Sequence, residues 1–195
     1  MIKYPDGREY LPNKNKHKLS KFEISISSGN RGMAFESDIN VSNEFYSSHG
    51  IALITKRPTP INVVHVDYTN TPRITDAYFE KQSTTDYNGI YREKYIDFEA
   101  KSTKSKTSFP LANISAHQIE HLKQVIRFGG IAFFIIHFSR YDETYILTAE
   151  QLILFTKQNN RKSIPYSYFK EKTMKVAHGY LPRLYYLEAI DKIFF

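Results

Sequence analysis

Two carboxylates and an ammonium spaced along one predicted strand are the residues here that could do chemistry. The segment Tyr95-Ile96-Asp97-Phe98-Glu99-Ala100-Lys101 alternates polar and apolar residues, as a half-buried strand does. A period of two puts Tyr95, Asp97, Glu99 and Lys101 on one face and Ile96, Phe98 and Ala100 on the other. The segment before it, Thr84 to Tyr91, can fold back antiparallel. With Arg92-Glu93 as a two-residue loop, Tyr91 faces Lys94, Asp86 falls opposite Glu99, and Thr84 falls opposite Lys101. Two carboxylates placed across from each other repel unless a cation sits between them. Such oxygen donors suit Mg²⁺, which binds a few carboxylates and keeps several waters. A carboxylate and an ammonium two residues apart on one strand can serve the same site. A second register stays open, because Asn88-Gly89 is the stronger two-residue turn, and a hairpin turning there separates Asp86 from Glu99. A surface ion pair on an edge strand is the plain alternative for the trio.

Other stretches are more specific. They are Asn30-Arg31-Gly32-Met33-Ala34-Phe35-Glu36, Lys56-Arg57-Pro58-Thr59-Pro60-Ile61, Thr84-Thr85-Asp86-Tyr87-Asn88-Gly89, Ser108-Phe109-Pro110-Leu111 and His117-Gln118-Ile119-Glu120-His121. With Asp86…Glu99-x-Lys101 they resemble the RecU family of Holliday junction resolvases, within the restriction-endonuclease-like PD-(D/E)XK nucleases. The likeness runs over almost the whole chain after the first twenty-odd residues. It implies an α/β fold, with a restriction-endonuclease-like mixed β-sheet flanked by helices and a protruding stalk. It also implies Thr84 and Gln118 as further metal-site residues beside Asp86 and Glu99, Lys101 as the catalytic cation, and Glu36 as a helix-borne carboxylate aimed at the site. The cofactor implied is Mg²⁺, with Mn²⁺ able to substitute. The partners implied are four-way junction DNA, a second copy in a homodimer, and the RecA recombinase, whose activity such proteins modulate. A two-fold dimer matches a junction with two symmetric scissile strands.

Composition agrees with a nucleic-acid partner. The chain has 195 residues, enough for one domain with a substantial core, and is 41% hydrophobic and 15% aromatic. Lys+Arg 27 against Asp+Glu 20 leaves +7, the electrostatic footprint of a polyanion binder, although a ribosomal or membrane surface would fit it too. No cysteine is present, which excludes thiol catalysis, disulfides and Cys-ligated zinc. No apolar run approaches a membrane span and no signal-peptide core is visible, so a soluble, cytoplasmic protein is expected.

Residues 1–22 read as a flexible basic arm, with Lys3, Arg8, Lys14, Lys16, Lys18 and Lys21 against Asp6 and Glu9. Residues 23–195 read as one nuclease domain. A helix is expected from Asn30 to His49-Gly50, carrying Glu36, which equally suits a surface charge near a helix start, and Arg31, placed to hold a phosphate. Pro58 and Pro60 take the chain out of the core. Ile61–Tyr68 and Ile74–Gln82 then form an excursion, and the stalk insertion is expected at about 56–82. Lys56, Arg57, Arg73 and Lys81 give it charge, and Tyr78 and Phe79 flat faces, for phosphates and opened bases. An ordinary surface ribbon is the alternative.

Ser115 opens a helix running to about Phe128. Gln118 three residues later completes a capping box, a structural role competing with its metal-site role. His117 and His121 stand at i and i+4, but the Glu that follows the first His of a zinc protease is missing and no third ligand is evident, so zinc is not expected. Ile131–Phe138 reads as a strand buried on both faces, Thr144–Leu147 as another, and Thr148 as the cap of a helix through Phe155. Ile164–Lys172 and Leu184–Phe195 read as short helices. Two other functions fit the same residues: a sequence-specific duplex endonuclease, and a DNA-architectural binder with a vestigial carboxylate pair.

Overall fold

The computed structural model describes residues 28–79 and 84–195, and the side chains from Gly32 onward. The basic arm of residues 1–22, Lys81 and the side chain of Arg31 lie outside the described residues.

Helix α1 (Ser28–Ser48) ends where Gly50 adopts φ 66° and turns the chain into β1 (Leu53–Lys56). After the two prolines, β2 (Ile61–Asp67) and β3 (Arg73–Phe79) form a two-stranded antiparallel ribbon of their own. Residues on both of its faces are exposed, and its register shifts around Val63 and His65. Then come β4 (Tyr87–Tyr91) and β5 (Lys94–Thr103), which pair antiparallel with Tyr91 facing Lys94. The loop is therefore Arg92-Glu93, both in the left-handed region at φ 47° and 62°, as a two-residue hairpin of type I′ requires. Asn88-Gly89 is not the turn. It lies inside β4 opposite Asp97 and Ile96, and a Cβ on Gly89 would come 2.0 Å from the Leu53 carbonyl oxygen. The glycine serves the close approach of β1.

The chain continues through β6 (Ser108–Pro110), a 3-10 turn (Leu111–Asn113) and α2 (Ala116–Arg127). This crossover lets β7 (Ile131–Phe138) lie parallel to β5, as parallel neighbours require. β8 (Glu143–Thr148), α3 (Ala149–Gln158), β9 (Ser163–Pro165), α4 (Tyr166–Lys172), β10 (Met174–Val176) and α5 (Tyr186–Phe194) follow. The main sheet runs β1-β4-β5-β7-β8-β10, mixed because β5–β7 alone is parallel. Ile164 pairs with Phe109 in the small β6–β9 sheet, so the helix expected from Ile164 starts two residues later.

Two apolar cores cover the faces of this sheet. On one, Ile96, Phe98, Phe133 and Ile135 meet Phe35 and Ile39 of α1 and Tyr186 and Ile190 of α5. On the other, Ala132, Phe134 and Ile136 meet Leu122 of α2, Leu152 of α3 and Phe169 of α4. β7 feeds both cores alternately, which explains its unbroken apolar run. Each fully buried Phe or Ile here contributes roughly 1.5–3 kcal/mol of transfer free energy, so the middle of β5 is held rigidly. Two buried hydrogen bonds, Tyr46 Oη to the Leu184 carbonyl at 2.8 Å and the Leu184 amide to Ser42 Oγ at 2.9 Å, lock α1 to the C-terminal segment.

Candidate active site

The polar face of β5 lies on the α2 side of the sheet, where Asp97 and Glu99 are almost wholly buried. Glu99 Oε1 accepts hydrogen bonds from Lys101 Nζ at 2.7 Å and Gln118 Nε2 at 2.6 Å. Its Oε2 is buried with no hydrogen-bond partner among the described residues. Asp86 stands just before β4. Extending the pairing of Tyr87 with Phe98 by one residue sets it across from Glu99, and its Oδ2 accepts from the Ala100 amide at 3.1 Å. That backbone bond fixes the Asp86 carboxylate beside the strand that carries Glu99.

The electrostatics follow from this burial. Desolvation pushes the Glu99 pKa up to about 7, the Asp86 charge adds to the rise, and Lys101 and Gln118 oppose it. Asp86 is also raised, first by burial, with the Ala100 amide and Lys101 opposing and Glu36 adding to the rise. Two carboxyls that resist ionising together, one of them with a bare buried oxygen, form a site that a cation would relieve. No group of three or more His, Cys, Asp or Glu among the described residues could hold a metal. The donors at Asp86 and Glu99 are oxygens only, a chemistry that suits hard divalent cations.

Gln118 performs two tasks with its two ends. Its Oε1 accepts from the Ser115 amide at 3.0 Å, and its Nε2 donates to Glu99. The capping role and the site role therefore coexist, with the amide nitrogen, not the oxygen, facing Glu99. Glu36, on α1, is joined to Lys56 at the end of β1. Thr84 is exposed and accepts from Arg57, which keeps it outside the group formed by Asp86, Glu99, Lys101 and Gln118.

Arg57 corrects its expected place as an exposed stalk cation. Its guanidinium turns inward, to Tyr95 Oη at 2.8 Å, Asp97 Oδ2 at 2.6 Å and Thr85 Oγ1 at 2.5 Å, with Thr84 as a further acceptor. With four of its five N–H donors engaged, it has little left for DNA. Arg73, Tyr78 and Phe79 do lie on the exposed ribbon, with Phe79 77% accessible. Asp97 and His121 went unrecognised as site residues. Alternation already placed Asp97 on the face of Glu99 and Lys101, and His121 lies three residues after Gln118, on the same side of α2. His117 is exposed while His121 reaches Asp97, so the pair does not converge.

The raised Glu99 pKa predicts a pH-dependent stability. Below about pH 4.5 the carboxyl is neutral in folded and unfolded chains alike. As pH rises towards 7 the unfolded chain loses its proton first, so this group's contribution declines. His137, whose pKa burial lowers, contributes the opposite slope. The clean measurement is therefore Tm of Glu99→Gln minus Tm of the native sequence. Without metal that difference should grow from pH 5 to 8, and saturating Mg²⁺ should shrink it. A flat difference would refute the buried-carboxyl account.

No helix among the described residues is long and apolar enough to cross a membrane. The family sequence model of Recombination protein U matches residues 30–192. The chain is 47% identical over 200 residues to a Holliday junction resolvase RecU from Geobacillus sp. (strain WCH70), covering 100% of this chain and 98% of that protein. It is 48% identical over 200 residues to a protein of the same name from Bacillus licheniformis, with the same coverage. Among solved structures it is similar to Archaeoglobus fulgidus Hjc, a Holliday junction resolvase, with TM-score 0.43 and 16% identity over 71% of this chain and 91% of that one.

Proposed function

The chain belongs to the Recombination protein U family, and from that premise we propose that it is a metal-dependent endonuclease resolving Holliday junctions in DNA recombination and repair. The observation that carries this reading is the Asp86–Glu99 pair, buried, repelling and left with a bare oxygen, beside Lys101. Mg²⁺, for which Mn²⁺ substitutes, would be held by Asp86 and Glu99 and would supply Lewis acidity and an activated water. Gln118 orients Glu99 through its amide nitrogen. Acting instead as an oxygen ligand, it would have to release the Ser115 amide. Thr84, exposed and bonded to Arg57, would support the ion site from the segment that carries Asp86. Lys101, partly accessible, stabilises charge on the phosphate oxygens during P–O cleavage. Glu36, paired with Lys56 and near enough for its charge to raise the Asp86 pKa, would be a further carboxylate supporting the ion or holding a second one.

On the DNA side, Arg73, Tyr78 and Phe79 on the ribbon would meet the opened branch, and Lys56, Lys81 and Arg31 are proposed as phosphate contacts. A two-fold homodimer would supply one site for each scissile strand. The cytoplasm is the place of action, and modulation of the RecA recombinase would use surface away from the metal site.

Paired cleavage assays on four-way junction and linear duplex in Mg²⁺ test this reading. Preferential, paired nicking of the junction is expected. Equal cutting of both would make it a duplex endonuclease, and binding without cutting would make it an architectural protein. Replacing the β2–β3 ribbon with a short linker should leave a folded, metal-binding protein that no longer prefers junctions. Loss of a single phosphate-tracking lysine elsewhere should instead weaken both substrates equally and reduce the salt slope by about one. An unchanged junction-to-duplex affinity ratio in a folded ribbonless variant would reject the ribbon as the recognition element.

A further inference from the structure

Asp97 is the most deeply buried charge near the site, at 0% exposure, and four segments of the chain converge on it. Arg57 Nη2, from the root of the ribbon, reaches Oδ2 at 2.6 Å. Tyr95 Oη, on β5 itself, and His121 Nε2, on α2, reach the same oxygen, each at 2.9 Å. The Thr85 hydroxyl, in the segment that presents Asp86, donates to Oδ1. A carboxylate only accepts, so the imidazole must donate through Nε2. Burying a carboxylate costs several kcal/mol unless it is paired and fully hydrogen-bonded, and an apolar residue would fill the position without that cost. The arrangement therefore points to a task beyond packing.

The connections show which task. Thr85 is the residue before Asp86, and the Arg57 amide donates to the Asp86 carbonyl at 2.7 Å. Arg57 thus grips the Asp86 segment twice, through its backbone and through its fork onto Thr84 and Thr85. Asp97 lies two residues before Glu99 on one face, and His121 is on the helix that carries Gln118, the residue bonded to Glu99. Among the described residues Asp97 makes no hydrogen bond to the Asp86 or Glu99 carboxylate, yet its partners lie on the segments that hold them. We infer that Asp97 is a positioning residue, whose Arg57–His121–Thr85 clamp sets the spacing of the Asp86 and Glu99 carboxylates for their cation. This rests on the metal-dependent nuclease reading above.

Asp97→Asn is the test, because it keeps the shape while removing the charge and facing an NH₂ towards some of its donors. Removing such a supporting partner should lower single-turnover junction cleavage ~10–100-fold and raise the Mg²⁺ concentration for half-maximal rate. Junction affinity measured in Ca²⁺ should be unchanged, and high Mg²⁺ should restore part of the rate. If Asp97→Asn does not fold, Arg57→Lys, which keeps the charge but loses the fork, should show the same raised Mg²⁺ requirement. A folded variant with native rate and native Mg²⁺ titration overturns the inference. So does a loss that Mg²⁺ leaves untouched, since that marks a purely structural anchor. Failure of the native protein to cut junctions at all would instead overturn the nuclease reading.

Discussion

Asp86→Asn should abolish junction cleavage while leaving junction binding in Ca²⁺ close to native. The carboxylate contributes to holding the ion and adds nothing attractive to a phosphate. Loss of metal Lewis acidity removes several kcal/mol of transition-state stabilisation, roughly a 10³-fold fall in single-turnover rate or more. Glu99→Gln should do the same, with one difference that identifies the site. Its neutral amide relieves the burial and repulsion now borne by Glu99, so the metal-free variant should melt higher near neutral pH even as it stops cutting. Titration calorimetry with Mg²⁺ and gel-resolved cleavage would measure both effects. Either variant cutting at near-native rate would sink the assignment.

Lys101→Ala should cost ~10²–10³ in rate, the scale of losing one transition-state donor. Beside the proposed catalytic role, the ammonium bonds Glu99 Oε1 at 2.7 Å and holds down the pKa of both carboxyls. Its removal should therefore shift the acidic limb of the pH–rate profile towards alkaline pH, as the carboxyl pair becomes harder to ionise. Lys101→Arg keeps that charge and should leave the limb near its native position, even if the rate stays low. A loss confined to junction affinity, with the single-turnover rate intact, would make Lys101 a phosphate anchor only.

The candidate face was legible because a strand's alternation is local information. Residues 95–101 place Glu99 and Lys101 together before any tertiary contact is known. The register of Asp86 was legible as one of two alternatives: counting back from Arg92-Glu93 gives the observed pairing, while turn chemistry favoured Asn88-Gly89, and what places that pair within the strand is the backbone of β1 lying against Gly89. Arg57 was misplaced for a related reason. Consecutive residues of an extended chain point to opposite sides, so Lys56 reaches Glu36 on α1 while Arg57 reaches Asp97 on the α2 side. A run of basic residues before proline gives no hint of that division. Strands β6, β9 and β10 span three residues each, too few for periodicity to register. Gln118 offered two competing roles in sequence, and the structure resolves them because an amide has a donor end and an acceptor end.

The ribbon of β2 and β3 has a thermodynamic consequence of its own. It shares no sheet with the core, it leaves Val63, Tyr78 and Phe79 exposed, and an isolated two-stranded hairpin is marginally stable at best. Its amides will exchange with solvent through small local openings, while those of β5 and β7, with both faces covered, will exchange through something close to global unfolding. The two ends of the proposed task are thus divided between two stabilities. In the proposed reading, chemistry would sit on an element that opens rarely and recognition on one that opens readily. A junction that engages the ribbon must order it, and part of the contact free energy is consumed in that ordering. Junction association will consequently carry an unfavourable conformational entropy and a heat-capacity decrement larger than its rigid contact area predicts, a signature that binding to plain duplex would lack.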